Sequence, residues 1–128
     1  MKFKIWIPAL LLAATLGAHH STSAVFDMQK PVTVKGTLTK VDWINPHIVM
    51  LIDAKGDGGK LEHWTFESNP PAWYRRVGIS RADLAKGIGQ EVTFGGVRAK
   101  DGSLYGYVLN IAFADGTKFE IKNPDKDK

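Results

Sequence analysis

No cysteine occurs anywhere in the 128 residues. That excludes disulfide staples, thiolate metal sites and cysteine nucleophiles, so a packed core alone must hold the fold. There is no Gly-x-Ser-x-Gly elbow and no His-Glu-x-x-His, which removes two common hydrolase signatures. Gly87-Ile88-Gly89 lies in no strand–loop–helix unit and is therefore no dinucleotide fingerprint. The 53–60 loop carries Asp53 and Asp57, but also Lys55 and Lys60, and lacks calcium-ligand spacing. The remaining carboxylates show no obvious pairing. These absences predict a binding or accessory protein, not an enzyme.

Charge of one sign is scarce too. The chain has 17 Lys+Arg against 13 Asp+Glu, a net +4. Lys2 and Lys4 fall in an N-terminal leader without acids, and the rest is about +2. So mild an excess argues against a nucleic-acid groove. Trp43, Trp64 and Trp73 are accordingly expected in the core or on its rim, not as a base-stacking platform.

Long apolar runs are also missing. The longest, residues 5–17, follows Lys2 and Lys4, is too short to cross a bilayer comfortably, and precedes small residues. It reads as a secretory signal peptide, residues 1–18, implying a periplasmic or secreted protein with no stable membrane insertion after cleavage. Cleavage after Gly17, Ala18 or Ala24 fits the small-residue preference to differing degrees. The choice decides whether His19 and His20 survive.

What remains is one domain, residues 19–121, with a charged tail at 122–128 expected to be disordered. Its pivot is Trp43-Ile44-Asn45-Pro46-His47, where Pro46 stops a strand and the chain must turn a corner. Before it, residues 32–43 read as a long strand. Val32, Val34 and Leu38 share one face, and Val41 and Trp43 the other, so a bend or bulge is expected near residues 36–40. Strand two, residues 48–54, is nearly all apolar and reads as covered on both faces. A glycine-rich hairpin loop leads to strand three, residues 60–67. Ser68-Asn69-Pro70-Pro71 then breaks the sheet. A short helix at 71–77 ends at Gly78, and a second turn is opened by Ser80 with Asp83. Strands at 90–99 and 104–113, and a short one at 118–121, complete the chain.

Three strands, a short helical segment, then two or three strands is the order of an OB-like barrel. The expectation is therefore an all-β, five- to six-stranded OB-like barrel. A β-sandwich competes, and the single helical break favours the barrel.

Several motifs resemble a known family: His19-His20-Ser21, Lys30-Pro31-Val32, the 43–47 corner, Trp64-Thr65-Phe66-Glu67, Arg98-Ala99-Lys100-Asp101-Gly102-Ser103, and Ala114-Asp115-Gly116. Together they are similar to a family of small exported bacterial proteins catalogued as a domain of unknown function. The resemblance implies export and one small β-rich domain. Family members often begin their mature chain near His-His-Ser, which implies a cut beside Ala18. The resemblance implies no activity or cofactor.

The four histidines remain as candidate ligands: His19, His20, His47 and His63. Imidazole suits copper, nickel and zinc. If Ala54 faces Lys60, His47 faces Glu67 and lies ~13 Å along the sheet from His63. A register two residues tighter brings the two histidines within ~6.6 Å, and an odd register puts them on opposite faces. The plainest role for His47 is a corner hydrogen bond, with Glu67 as candidate partner. For His63 it is a half-buried strand position. His19 and His20 differ, because cleavage beside Ala18 would put them next to a free α-amine. Amine, amides and imidazole can then encircle Cu(II), which heads the affinity order for nitrogen sites. The expected metal set is His19, His20 and His47, with copper as the cofactor. The alternative is a metal-free module that binds an envelope partner through Trp43, Asn45 and Pro46.

Overall fold

The computed structural model of the protein describes residues 21–122. The leader, His19 and His20, and the tail beyond Lys122 lie outside the described residues. The chain enters as one helical turn, α1 (Thr22–Val25), and runs straight into a 17-residue strand, β1 (Phe26–Asp42). This strand starts six residues earlier than its apolar pattern predicts. The polar Asp27-Met28-Gln29-Lys30 stretch has no strand periodicity of its own. Tertiary pairing supplies what it lacks, because Phe26 and Asp27 align with Ala99 and Arg98 across a bulge.

β1 serves two neighbours. Its first part pairs with β4 (Glu91–Ala99) and its second with β2 (Val49–Lys55), while Gly36 and Thr37 pair with both. The phase change read in the sequence is real: the register with β2 shifts between Leu38 and Lys40. The bulged Thr39 bonds through its hydroxyl to the Leu51 carbonyl, 3.2 Å away. Gly36 permits the shared corner, since a Cβ there would stand 2.3 Å from the Asp53 carbonyl oxygen.

β2 turns into β3 (Leu61–Glu67) through a helical turn at Asp57–Gly59. Gly58 and Gly59 take positive φ there, and Gly56 N–H donates to the Lys60 carbonyl at 2.8 Å. The turn consumes five residues, so Ala54 faces Glu62, not Lys60. His63 therefore faces Asp53, six residues beyond His47 along the chain, about 20 Å at ~3.3 Å per residue. None of the three registers considered from sequence is the one adopted. β2 also alternates in burial, with Met50, Ile52 and Ala54 inside and the other face only half-covered, so it is not buried on both sides.

Pro71 opens α2 (Pro71–Arg76). Gly78, at φ 81°, ends it and lets Ile79 N–H return to the Tyr74 carbonyl at 2.9 Å. The capping box at Ser80 and Asp83 starts α3 (Arg81–Ala85) as expected. Then come β4, β5 (Tyr105–Phe113) and β6 (Lys118–Glu120).

β3 closes the ring by pairing parallel with β5, with Thr65 opposite Tyr105 and Glu67 opposite Tyr107. The circuit β1-β2-β3-β5-β4 is a five-stranded OB-like barrel, and β6 adds an edge strand to β5. Its interior holds Leu38, Ile48, Met50, Ile52, Phe66, Phe94, Val108 and Ile111, all at most 1 % exposed. Tyr74, Ile79 and Leu84 of the helical segment join this core. Each such large side chain contributes about 1.5–3 kcal/mol by leaving water. A second cluster of Phe26, Val97, Ala99 and Tyr107 lies apart from it.

Candidate functional site

The second cluster positions the chemistry. Tyr105 and Tyr107 alternate with Gly106, whose place belongs to the interior: a Cβ there would lie 2.5 Å from the Phe66 ring. Both tyrosines thus share the face away from the main core. Phe26 covers them, with ring centroids 5.0 Å from Tyr105 and 5.5 Å from Tyr107. Lys100 N–H donates to the Val25 carbonyl at 2.9 Å, tying the entering chain to the β4–β5 turn.

The tyrosine hydroxyls reach the end of β3. Tyr105 donates to one carboxylate oxygen of Glu67, and His47 Nδ1 contacts the other. Tyr107 donates to the side-chain oxygen of Asn69, and its ring meets the His47 ring edge-on at 6.5 Å. Asn69 is fully buried. Its amide donates to the Lys122 carbonyl at 3.0 Å, and its own carbonyl accepts from Ile48 N–H at 3.3 Å. Ser68, equally buried, hydrogen-bonds the Tyr74 hydroxyl at 2.5 Å. Among the described residues no buried side-chain polar atom is left unpaired. The break read from Ser68 and Asn69 is thus a satisfied polar knot behind His47.

Burial pushes the Tyr105 phenol well above its ordinary pKa, and the Glu67 carboxylate beside it adds to the effect. Burial raises Tyr74 likewise, partly offset by Ser68. Both therefore stay protonated through the neutral range. With Nδ1 turned to Glu67, Nε2 is the ring nitrogen of His47 that this carboxylate does not engage. This is the carboxylate–histidine arrangement that orients imidazole ligands. The side chains are 31 % and 19 % exposed, so the pair is reachable from solvent.

The residues named from sequence separate. His47 is half-buried and paired with Glu67, its plainest expected role. His63 is exposed, not half-buried, and bonds Asp53 at 2.6 Å. Trp43 is half-buried against Tyr74 at 5.7 Å, Trp73 packs on the same ring at 5.1 Å, and Trp64 is in the core, stacked on Phe66 at 5.6 Å. Asn45 and Pro46, joined by a cis peptide, are exposed beside Ile44. Among the described residues no three His, Asp or Glu side chains converge as a metal cluster. Sequence reasoning missed Tyr105, Tyr107 and Asn69. The available signal was two tyrosines flanking a glycine in a strand, a face needing cover from elsewhere.

An OB-like barrel with a braced histidine at its first corner is the class that fold and site define. Residues 9–108 match the model of a family of unknown function, DUF6152, and the chain belongs to that family. No curated protein matches it.

Proposed function

We propose that this is an exported, non-catalytic binding protein whose working site is the barrel end carrying His47, and that the site takes Cu(II). One observation carries the reading. The chain enters the fold at Phe26, against the same two tyrosines that brace Glu67 and contact the His47 ring. His20 lies six residues before Phe26 in the sequence, a length of chain that at ~3.3–3.6 Å per residue would allow it to reach that site. His47 alone offers one nitrogen, too little for a tight site. His19, His20 and a free α-amine would add the rest, a nitrogen set suited to Cu(II). Glu67 orients the His47 ring and Tyr105 orients Glu67.

The test is a competition titration with Cu(II) on the exported protein, after its mass has located the first residue. His47→Ala and His20→Ala are each expected to weaken binding by about tenfold or more, and Glu67→Gln by about tenfold. Affinity should rise with pH, since the metal competes with protons for nitrogen. A chain beginning at Val25, or unchanged affinity after deleting His19 and His20, ends the proposal.

A second reading rests on Ile44, 52 % exposed on a loop anchored by Trp43. There the corner docks an envelope protein and no metal is needed. Ile44→Asp separates the two, abolishing partner capture while leaving copper binding intact. It is a cleaner probe than Trp43→Ala, which would also disturb the packing on Tyr74.

A further inference from the structure

The edge strand β6 and helix α2 enclose an open cleft of about 590 Å³, within the ~300–1,000 Å³ range of ligand sites. It lies apart from His47, Glu67 and the two tyrosines, and meets the polar knot behind them only at Lys122, whose carbonyl accepts from Asn69. Its apolar lining is Trp73, Val77, Ile79 and Phe119, and Val77 is 49 % exposed. Arg76, Lys118 and Lys122 also line it, against Glu120 as its one acid. None of these three cations forms an ion pair among the described residues, whereas Lys35, Lys40 and Lys86 all do.

The backbone along the cleft is unspent as well. Phe113 N–H donates to the Thr117 carbonyl at 2.9 Å, and Ile121 N–H donates to the Leu109 carbonyl at 2.8 Å. Thr117 and Ile121 therefore face β5. The two-residue period of the ladder turns the N–H and C=O groups of Lys118 and Glu120 away from it. An unpaired edge of this kind accepts an added strand, with main-chain bonds supplying affinity and alternate side chains supplying selectivity.

We propose that this cleft binds an extended acidic peptide segment of a partner protein, added as a strand beside β6. Alternate apolar side chains of the segment pack on Val77, Phe119 and Trp73. Its acidic residues face Arg76, Lys118 and Lys122. The charge excess of the rim selects an acidic strand over a basic one.

The test uses fluorescein-labelled six-residue peptides of alternating Val and Glu, read by anisotropy on the full exported chain. Saturable binding is expected, weakened by salt, with the Val-Lys peptide at least about tenfold weaker. Lys118→Glu with Lys122→Glu should cost the acidic peptide about tenfold or more, and circular dichroism checks that this surface variant folds. N-methylating alternate amides of the peptide removes ladder donors without touching the protein, and in one of the two phases it should abolish binding. Equal binding by both N-methylated phases, or by the charge-reversed protein, overturns the proposal. So does binding that appears only after residues 123–128 are removed, which would put the chain's own tail in the cleft. Uptake of laurate or anionic vesicles without peptide binding makes the cleft a lipid site instead. No binding at all leaves the lysines as guards against edge-to-edge association, which also refutes it.

Discussion

His47 and His63 each turn Nδ1 to a carboxylate across β2 and β3, yet their surroundings are opposites. Glu67 holds His47 from the end of β3, receives a second bond from Tyr105, and lies beside the buried Tyr107–Asn69 pair. Asp53 holds His63 in the middle of the same ladder at 2.6 Å, but the side chains are 37 % and 73 % exposed. No second group braces Asp53 among the described residues. Residue type and pairing are shared. What differs is the layer behind the pair, and that layer decides whether an imidazole is held in one orientation or merely visits it. An exposed ion pair is worth about 0–1 kcal/mol, because water competes and side-chain freedom is lost.

The braced side is broken hardest through its backbone. In Gly106→Ala the new Cβ would sit 2.5 Å from a carbon of the buried Phe66 ring and 3.2 Å from the Val97 carbonyl. We expect a loss of about 1–3 kcal/mol, seen as a lower urea midpoint. Unchanged stability would show that β5 is free to shift and that the tyrosines are not pinned.

Tyr107→Phe comes next. It deletes the hydroxyl that serves the fully buried Asn69 oxygen, and stranding such an acceptor costs about 1–3 kcal/mol. Asn69→Ala in the Tyr107→Phe background should then add less than it does alone, which a double-mutant cycle reads directly.

Tyr105→Phe removes the second bond to Glu67 at an expected cost of about 0.5–1.5 kcal/mol. It also sharpens the comparison through pH. The folded state holds Tyr105 and Tyr74 protonated above the ordinary value of 10.0. Their contribution is fully present below the unfolded pKa and is lost as pH rises beyond it, because the unfolded chain releases those protons first. Thermal midpoints should therefore fall above about pH 10, and less steeply in Tyr105→Phe. Identical slopes would mean that Tyr105 is not held neutral by its site.

The smallest effect belongs to the exposed pair. His63→Ala and Asp53→Ala should each change stability by no more than about 0.5 kcal/mol, and His63→Ala should leave copper affinity within about twofold. A larger loss in either measurement would erase the distinction between the two pairs.

Much of this molecule was written in local pattern. The reversal of apolar phase between Leu38 and Val41 announced the bulge that lets one strand serve two neighbours. Pro46 announced the corner, Pro71 and Gly78 bounded a helix, and Ser80 with Asp83 capped the next. Each signal is short-range, a φ restriction, a lost donor or an alternating face, and needs no distant partner to act. The OB-like order followed from where those signals fell. Tertiary structure alone decided the rest. Two glycines with positive φ spent five residues on a turn and so placed His63 opposite Asp53, about 20 Å from His47. The parallel closure of β3 on β5 joined residues some forty positions apart and so carried Tyr105 to Glu67 and Tyr107 to Asn69. Phe26 and Asp27 became strand only because Ala99 and Arg98 stood ready to pair with them. Sequence periodicity tells which face a residue takes. It carries no information on which distant face will meet it, and that meeting is what braces His47 and leaves His63 in water.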